Sequence, residues 1–322
     1  MISSREVAFQ SSIKSETVRF RRKRFVQRIL LNWQLYLFVL PAVAYFIIFQ
    51  YIPMYGVQIA FRDYKTSLGF WGSKWVGFKH FIRFFNSYYF VTIIRNTLTI
   101  TTLSLIVGFP VPIILALLLN EIMHEKYKKL VQTVTFAPHF ISTVVICGML
   151  VIFLNPTSGI INHILAFLGH ERINFLQQSH YFKWIYVLSG VWQEAGWNSV
   201  IYFAALSAVD NELLEAARID GANKVQRIIY INLPVLIPTI IILLIMRSGS
   251  LLSVGYEKVY LLQNDTNLSA SEVISTYVYK RGLIDSDYSF SSAVGLFNSC
   301  INCIMLVVVN YIAKKVSETS LW

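Results

Sequence analysis

Long apolar stretches separated by shorter polar segments dominate this chain. A membrane-spanning helix needs about 20 mostly apolar residues. Six segments of the 322-residue chain meet this requirement: 33–53, 91–119, 130–154, 183–206, 234–253 and 291–313. The pattern therefore predicts an all-α integral membrane protein with six transmembrane helices.

Composition and charge support a membrane protein and indicate its orientation. Charged residues make up 14% of the chain, compared with about 25% in soluble domains. The net charge is +11, and residues 1–32 hold eight Lys or Arg against two Glu. A basic tail beside an apolar run is typical of a cytoplasmic anchor next to anionic lipid rather than of a nucleic-acid arm. With six spans, both termini are predicted to be cytoplasmic.

This topology divides the chain into consecutive regions. Residues 1–32 form the basic cytoplasmic tail, and 33–90 hold the first span and an outer loop. Residues 91–314 form a five-span core that contains a cytosolic segment, 207–234, and 315–322 form a cytoplasmic C-terminal tail. The first apolar stretch starts too late and runs too long for a cleavable signal peptide.

The chain lacks the common catalytic signatures. It has no GxxxxGK[ST] phosphate loop, HExxH or GxSxG motif. We therefore predict no catalytic residue, metal or cofactor, and no binding of ATP in the P-loop manner. Cys300 and Cys303 have metal-like spacing without a second pair. Together with Cys147 they are interpreted as free thiols packed as small hydrophobes.

The segment 207–234 is polar between two apolar regions. Asp210 is a good N-cap and Glu212 adds negative charge to a first turn. Gly221 is suited to ending this helix in the left-handed conformation. A second helical period follows, with Lys224 and Arg227 on its polar side. The segment is predicted to be two short amphipathic helices around a glycine hinge, joined to the fifth span.

One residue pattern in this segment carries a family resemblance. Glu-Ala-Ala, three residues, Gly, nine residues, Ile, one residue and Leu-Pro is met by Glu215, Ala216, Ala217, Gly221, Ile231, Leu233 and Pro234. It resembles the signature loop of the membrane subunits of binding-protein-dependent ABC importers. The stretches "VWQEAGWNSVIYFAALSAVD", "GYEKVYLLQN" and "EVISTYVYKRGL" are similar to the carbohydrate-uptake (maltose-type) branch, and within it to oligosaccharide and polysaccharide importers such as the alginate importer.

The resemblance implies a type I importer permease fold and a coupling role for this loop. Glu215 would pair with a basic group in an ATPase cleft, and Ala216 and Ala217 would permit close packing. Gly221 would set the bend, and Leu233 and Pro234 would transmit motion to the fifth span. Asp220 and Ile231 belong to the same coupling set, and ATP hydrolysis would occur in the partner subunits. The implied partners are a second homologous permease subunit, two ATPase subunits and an extracytoplasmic solute-binding protein, in the cytoplasmic (inner) membrane of a bacterium.

Polar and aromatic residues inside the spans are candidates for a substrate path. Glu194 is costly against lipid, so it marks either a path or a buried partner. The full candidate set is Trp192, Gln193, Glu194, Asn198, Tyr202, Arg247, Asn298 and Asn302. For the aromatic residues helix packing is the alternative, and for the asparagines it is hydrogen bonding between helices. Arg247 either snorkels or pairs with Glu194, and His139 is expected to pack at a kink.

Charge on the first outer loop bears on the substrate. Arg62, Lys65, Lys74, Lys79 and Arg83 make this loop basic, with Asp63 among them. The charge suits either an acidic saccharide or an acidic surface of a binding protein. Two other classes of function compete with the importer. They are a secondary transporter or channel for a small polar solute, and a membrane-embedded enzyme, for which no catalytic constellation is found.

Overall fold

The computed structural model describes residues 31–317 and 319–321, which form mainly helices. The chain divides into two compact units, Met1–Gln58 and Ile59–Trp322. In the first unit, α1 (Trp33–Phe46) continues through a π-helical turn (Ile47–Tyr51) into α2 (Ile52–Met54). A 3-10 helix (Tyr55–Phe61) follows. The basic tail before Leu31 lies outside the described residues.

The second unit holds fifteen further α-helices and one small hairpin among its described residues. The two-residue strands β1 (Arg62–Asp63) and β2 (Lys74–Trp75) pair antiparallel. The helices, in chain order, are α3 (Gly69–Gly72), α4 (Lys79–Phe85), α5 (Phe90–Gly108), α6 (Pro110–Asn120), α7 (Glu125–Phe136), α8 (Thr143–Phe153), α9 (Ile160–Phe167), α10 (Ser179–Leu206), α11 (Asn211–Ile219), α12 (Lys224–Arg227), α13 (Leu233–Ser248), α14 (Tyr256–Leu262), α15 (Leu268–Ser271), α16 (Ile274–Tyr279) and α17 (Tyr288–Ser317).

Three of the predicted spans of this unit appear as long apolar helices. The second span is Phe90–Asn120, in which Pro110 starts α6 and separates it from α5. The fifth span, Lys224–Ser248, is longer than predicted at its N-terminal end because α12, a π-helix (Ile228–Asn232) and α13 run on without a break. It ends before the predicted 253, and the sixth span is α17.

The third predicted span, 130–154, is not one straight helix. It consists of α7, a 3-10 turn (Ala137–Phe140) and α8, and the two arms are bent by 100°. Pro138 lies in the 3-10 turn, and the Ser142 hydroxyl caps α8 by accepting a hydrogen bond from the Val145 N–H. Proline has no N–H to donate to the helical ladder and its ring disfavours a continuing α-helix, which is consistent with a break at this position.

The predicted count of six spans is not confirmed. Among the described residues, four helices are long and apolar enough to cross a membrane, or five if the bent α7–α8 pair is one span. The fourth predicted span, 183–206, corresponds to α10, a 28-residue helix that is long enough but too polar to be one of them. Its mean hydropathy is lowered by polar residues such as Gln193 and Glu194, whose packing contacts are described below.

Segment 254–290, which joins the fifth and sixth predicted spans, is folded into the core of the second unit. It holds α14, α15, α16 and a further π-helix (Lys280–Ile284). Val259, Leu262 and Val273 pack in one apolar cluster with Ile100 of α5 and Cys147 of α8. Other residues, among them Ile274 and Tyr277, pack with Phe84, Ile93 and Phe290 in a second cluster. The sequence did not indicate these helices, because short buried helices leave no 20-residue apolar signature.

Candidate functional site

The polar segment 207–234 folds as two helices around a glycine, as its sequence predicts. The Asp210 carboxylate accepts a hydrogen bond from the Glu212 N–H at 2.9 Å and caps α11. Gly221 has a φ of +81°, and the Ala222 N–H closes the helix end on the Ala217 carbonyl at 2.9 Å. A residue with a Cβ is strained at this φ, so the bend requires glycine.

The second helix begins with a cap that sequence analysis overlooked. Asn223 and Gln226 form a reciprocal capping box, in which the Asn223 side chain accepts from the Gln226 N–H at 2.9 Å. The Gln226 side chain accepts from the Asn223 N–H at 2.8 Å. Such a box satisfies two backbone donors that the first turn leaves free. It fixes the start of the helix that leads directly into the fifth span.

Arg227 is buried, which corrects its placement on the polar side of this helix. Its guanidinium donates to the Glu121 carboxylate at 2.9 Å and to the Ala222 carbonyl at 3.1 Å. The side chains are only 9% and 15% exposed, respectively, for Arg227 and Glu121. Glu121 directly follows α6, so this ion pair connects segment 207–234 to the end of the second span. The two residues are 106 positions apart, and sequence spacing contains no signal of their contact.

The residues with the family signature are divided between an exposed face and a packed one. Glu215 and Ala216 on α11 are exposed, and Ala217 is half-buried. Ile231 and Leu233 pack with Leu206, Tyr202 and other residues in a third apolar cluster. Pro234 is exposed at the start of α13. A groove of about 330 Å³ lies between the helices and is lined by Ala217, Asp220, Gly221, Ala222, Gln226, Arg227, Tyr230 and Ile231.

Two polar residues of α10 bind the break between α7 and α8. Gln193 donates to the Ile141 carbonyl at 3.2 Å, and Glu194 pairs with the His139 ring nitrogen at 3.0 Å. Trp197 stacks flat on the same imidazole, with ring centroids 4.5 Å apart. Glu194 therefore holds the bend, and the proposed pairing of Glu194 with Arg247 is not present. His139 packs at the kink as expected, with an added hydrogen bond to Glu194.

Arg247, Asn198 and Tyr202 come together around one cavity of about 280 Å³. Its walls also include Trp197 and residues at the junction of α5 and α6. Tyr202 is buried, whereas Arg247 is exposed near the end of α13. Trp192 lies elsewhere, in an apolar cavity of about 420 Å³ with Trp184 and Phe153. The structure therefore separates Trp192 from Asn198, Tyr202 and Arg247.

The asparagines of α17 have different surroundings. Asn302 is buried and accepts from the Leu252 N–H at 2.9 Å while its amide donates to the Ser253 hydroxyl at 3.0 Å. It therefore holds the turn after α13, which is a packing role. The Asn298 side-chain oxygen is buried without a hydrogen-bond partner among the described residues. Cys147 is buried as predicted, but Cys300 and Cys303 are exposed on α17, which corrects that expectation.

Most cations of the predicted basic loop have local partners. Lys79 pairs with Asp63 at 2.7 Å, and its hydrogen bond lowers the pKa of that carboxyl. Arg83 pairs with Asp287 at 2.7 Å, and Arg62 donates to the Ser73 carbonyl at 2.9 Å. The exposed Lys65 and Lys74 remain outside these side-chain pairs. The positive surface of the loop is therefore smaller than its sequence suggests.

Comparison with known proteins extends the likeness over nearly the whole chain. Residues 108–318 match the family described as "Binding-protein-dependent transport system inner membrane component". The chain is 43% identical over 302 residues to the polygalacturonan/rhamnogalacturonan transport system permease protein YteP of Bacillus subtilis (strain 168), covering 94% of each chain. It is 44% identical over 288 residues to Protein LplB of the same strain, covering 89% of this chain and 91% of LplB.

The fold also matches solved structures. A chain in the crystal structure of a bacterial ABC transporter involved in the import of the acidic polysaccharide alginate aligns with a TM-score of 0.84. The identity is 40%, over 91% of this chain and 99% of the other. A second structure with the same score and identity shows a bacterial alginate ABC transporter in complex with an alginate pentasaccharide-bound periplasmic protein.

Proposed function

Because the chain belongs to the family of binding-protein-dependent transport system inner membrane components and is a permease subunit of a sugar or polysaccharide ABC importer, we propose that it forms half of a translocation pathway. A second, homologous permease subunit supplies the other half, and two cytosolic ATPase subunits drive alternating access. A solute-binding protein delivers the substrate from the outer side. The N- and C-termini are cytoplasmic.

The proposed substrate is an acidic oligosaccharide or polysaccharide. Two printed descriptions of similar proteins support this class, polygalacturonan/rhamnogalacturonan transport for YteP and alginate import for the solved transporter. Both polymers contain sugars that bear a carboxylate. The chain is similar to these proteins over at least 91% of its length.

The observation that carries the coupling proposal is the connection of α11 to the fifth span. The face of α11 with Glu215 and Ala216 is exposed and free to dock on another protein. The Gly221 bend follows, and then a helix that runs from Lys224 to Ser248 without interruption. A force on α11 is passed through this bend into the span, and the Arg227–Glu121 pair passes it to the second span. Rigid-body motion of packed helices is a known basis of such switching.

Substitutions in α11 test this coupling in proteoliposomes that contain the complete complex. Glu215→Ala removes the exposed carboxylate, and Gly221→Ala strains the bend by roughly 1–2 kcal/mol. We expect each to lower ATP hydrolysis stimulated by the loaded binding protein at least about tenfold. Glu212→Ala is the matched control, because Glu212 is also exposed on α11 but lies outside the family signature.

The outcomes separate coupling from folding. The account requires that the Glu215 and Gly221 variants remain inserted and bind their partner subunits at wild-type levels when stimulation is lost. Wild-type stimulation and uptake in the Glu215 variant would remove the coupling role. An equal loss in the Glu212 control would show that α11 tolerates no change and that the signature residues have no special part.

A further inference from the structure

Arg247 is a charged residue in an otherwise apolar helix. It lies one residue before the end of α13 and is exposed. Its guanidinium forms no ion pair or hydrogen bond with any residue that the structure describes, and Glu194, the partner considered from the sequence, pairs with His139. An unpaired ionisable group within a membrane segment is costly and by default marks a functional site.

Two cavities meet at this side chain. The first, called here the hydroxyl cavity, has about 240 Å³ and is lined by Arg247, Thr101, Ser104, Tyr186, Ser250 and Ser253 among others. The second is the cavity of about 280 Å³ with Trp197, Asn198 and Tyr202, called here the aromatic cavity. Arg247 lines both cavities, and it is the only charged residue among the described lining residues of either.

The two cavities are arranged one after the other along the second span. The hydroxyl cavity is lined by residues 100–105 of α5, and the aromatic cavity by residues 108–112 at the junction with α6. At 1.5 Å per residue, the midpoints of these two stretches of lining residues are about 11 Å apart along the helix. Arg247 lines both cavities, so a molecule that moves along the span from one cavity to the other passes its guanidinium.

The electrostatic environment favours an anion at this place. No Asp or Glu lines either cavity among the described residues. A second cation, the buried Lys258 ammonium, lies 5.2 Å from the centroid of the Tyr186 ring that forms part of the hydroxyl cavity. A guanidinium presents a planar fork of donors that matches the two oxygens of a carboxylate. The surrounding hydroxyl groups are suited to sugar hydroxyls.

We propose that Arg247 forms a carboxylate-binding subsite in the translocation path, between the hydroxyl and aromatic cavities, for an acidic saccharide. This inference rests on the proposed importer function and adds to it the residue that distinguishes acidic from neutral sugars inside the membrane. Trp197 and Tyr202 offer ring faces to the sugar on one side of the guanidinium, and Thr101, Ser104 and Ser250 offer hydroxyls on the other.

The test compares an acidic probe with a neutral one of the same size. Trigalacturonate and its carboxyl-reduced trisaccharide, both isotopically labelled, are equilibrated by dialysis with the complete complex in lipid nanodiscs without binding protein. For Arg247→Gln we expect about tenfold weaker binding of trigalacturonate, which corresponds to about 1.4 kcal/mol, and a change below about twofold for the neutral probe. Arg247→Lys keeps the charge without the fork and is expected to fall between wild type and Arg247→Gln.

Arg95→Gln is the matched control. Arg95 is also an exposed arginine within a spanning helix, α5, but lines neither cavity. We expect it to bind both probes as the wild type does. Equal weakening of both probes in Arg247→Gln, or no weakening of either, would overturn the subsite. If that variant does not assemble, unchanged binding of trigalacturonate by Arg247→Lys would overturn it.

Uptake by the wild-type complex distinguishes this inference from the function on which it rests. ATP-dependent uptake of a saccharide together with unchanged binding in the Arg247 variants would contradict the subsite and leave the importer function intact. A wild-type complex that takes up no saccharide from its loaded binding protein would contradict the importer function itself.

Discussion

Gly196 shows at the scale of one residue how tightly the polar helix α10 is packed. A Cβ at this position would lie well inside van der Waals distance of the Thr135 carbonyl oxygen on α7. The obstacle is backbone, which cannot rotate away, and overpacking of this kind costs about 1–3 kcal/mol or more. The absence of a side chain at Gly196 therefore allows α10 to approach the broken third span.

Gly196→Ala is predicted to lower the thermal stability of the detergent-solubilised protein. The measure is the midpoint of loss of the monodisperse peak in size-exclusion chromatography after heating. Gly148→Ala is the control, because Gly148 on α8 has open space where a Cβ would be added. Equal midpoints for the two variants would show that the α7–α10 contact is not close in the folded protein.

Single residues were well identified from sequence where their chemistry is local. Asp210 and Gly221 fill a cap and a left-handed bend, and these roles depend only on near neighbours. Glu194 was recognised as exceptional, but its partner His139 was not, since the two are 55 positions apart. Which residue pairs with a polar group inside a membrane depends on helix packing that a single sequence does not display.

At the scale of elements, the Arg227–Glu121 pair joins segment 207–234 to the second span. Breaking a buried pair leaves one uncompensated charge, which typically costs about 3–5 kcal/mol, whereas replacing both members by apolar residues is often neutral. An exposed pair is worth about 0–1 kcal/mol. Arg281 and Asp285, with side chains 37% and 45% exposed, form such a pair at 2.9 Å.

We predict that Arg227→Leu lowers the thermal midpoint strongly and that Arg227→Leu with Glu121→Leu restores much of the loss. The matched control, Arg281→Leu, is expected to have a small effect. The same size-exclusion assay measures all three, together with protease cleavage of α11 in membrane vesicles. A double variant less stable than Arg227→Leu alone would contradict the view that the buried charge is the cause.

Long apolar elements were predicted from the sequence more accurately than short or polar ones. The second, fifth and sixth spans appear as long apolar helices close to their expected positions. The third span broke at Pro138, and segment 254–290 folded into short buried helices. Periodicity does not reveal these elements, because helices of four to seven residues are too short for it.

At the scale of the whole molecule, the family could be recognised from seven positions of the loop, and the comparisons confirm it. The positions of the path residues could not be predicted in the same way. Glu194 and Asn302 make packing contacts and Trp192 lines a separate apolar cavity, whereas Asn198, Tyr202 and Arg247 line one common cavity. In the proposed complex a second permease subunit provides the rest of the path, and residues that face it are not distinguished by burial within one chain.

ATP-driven saccharide uptake by the co-expressed complex is the most direct test of the importer account. The chain is affinity-tagged, expressed with the products of its neighbouring genes, purified and reconstituted with the loaded binding protein. The account predicts that a second permease and ATPase subunits co-purify, and that labelled oligogalacturonate enters vesicles only when the ATPases have ATP. A chain that purifies without any ATPase and moves solute down an ion gradient would contradict it.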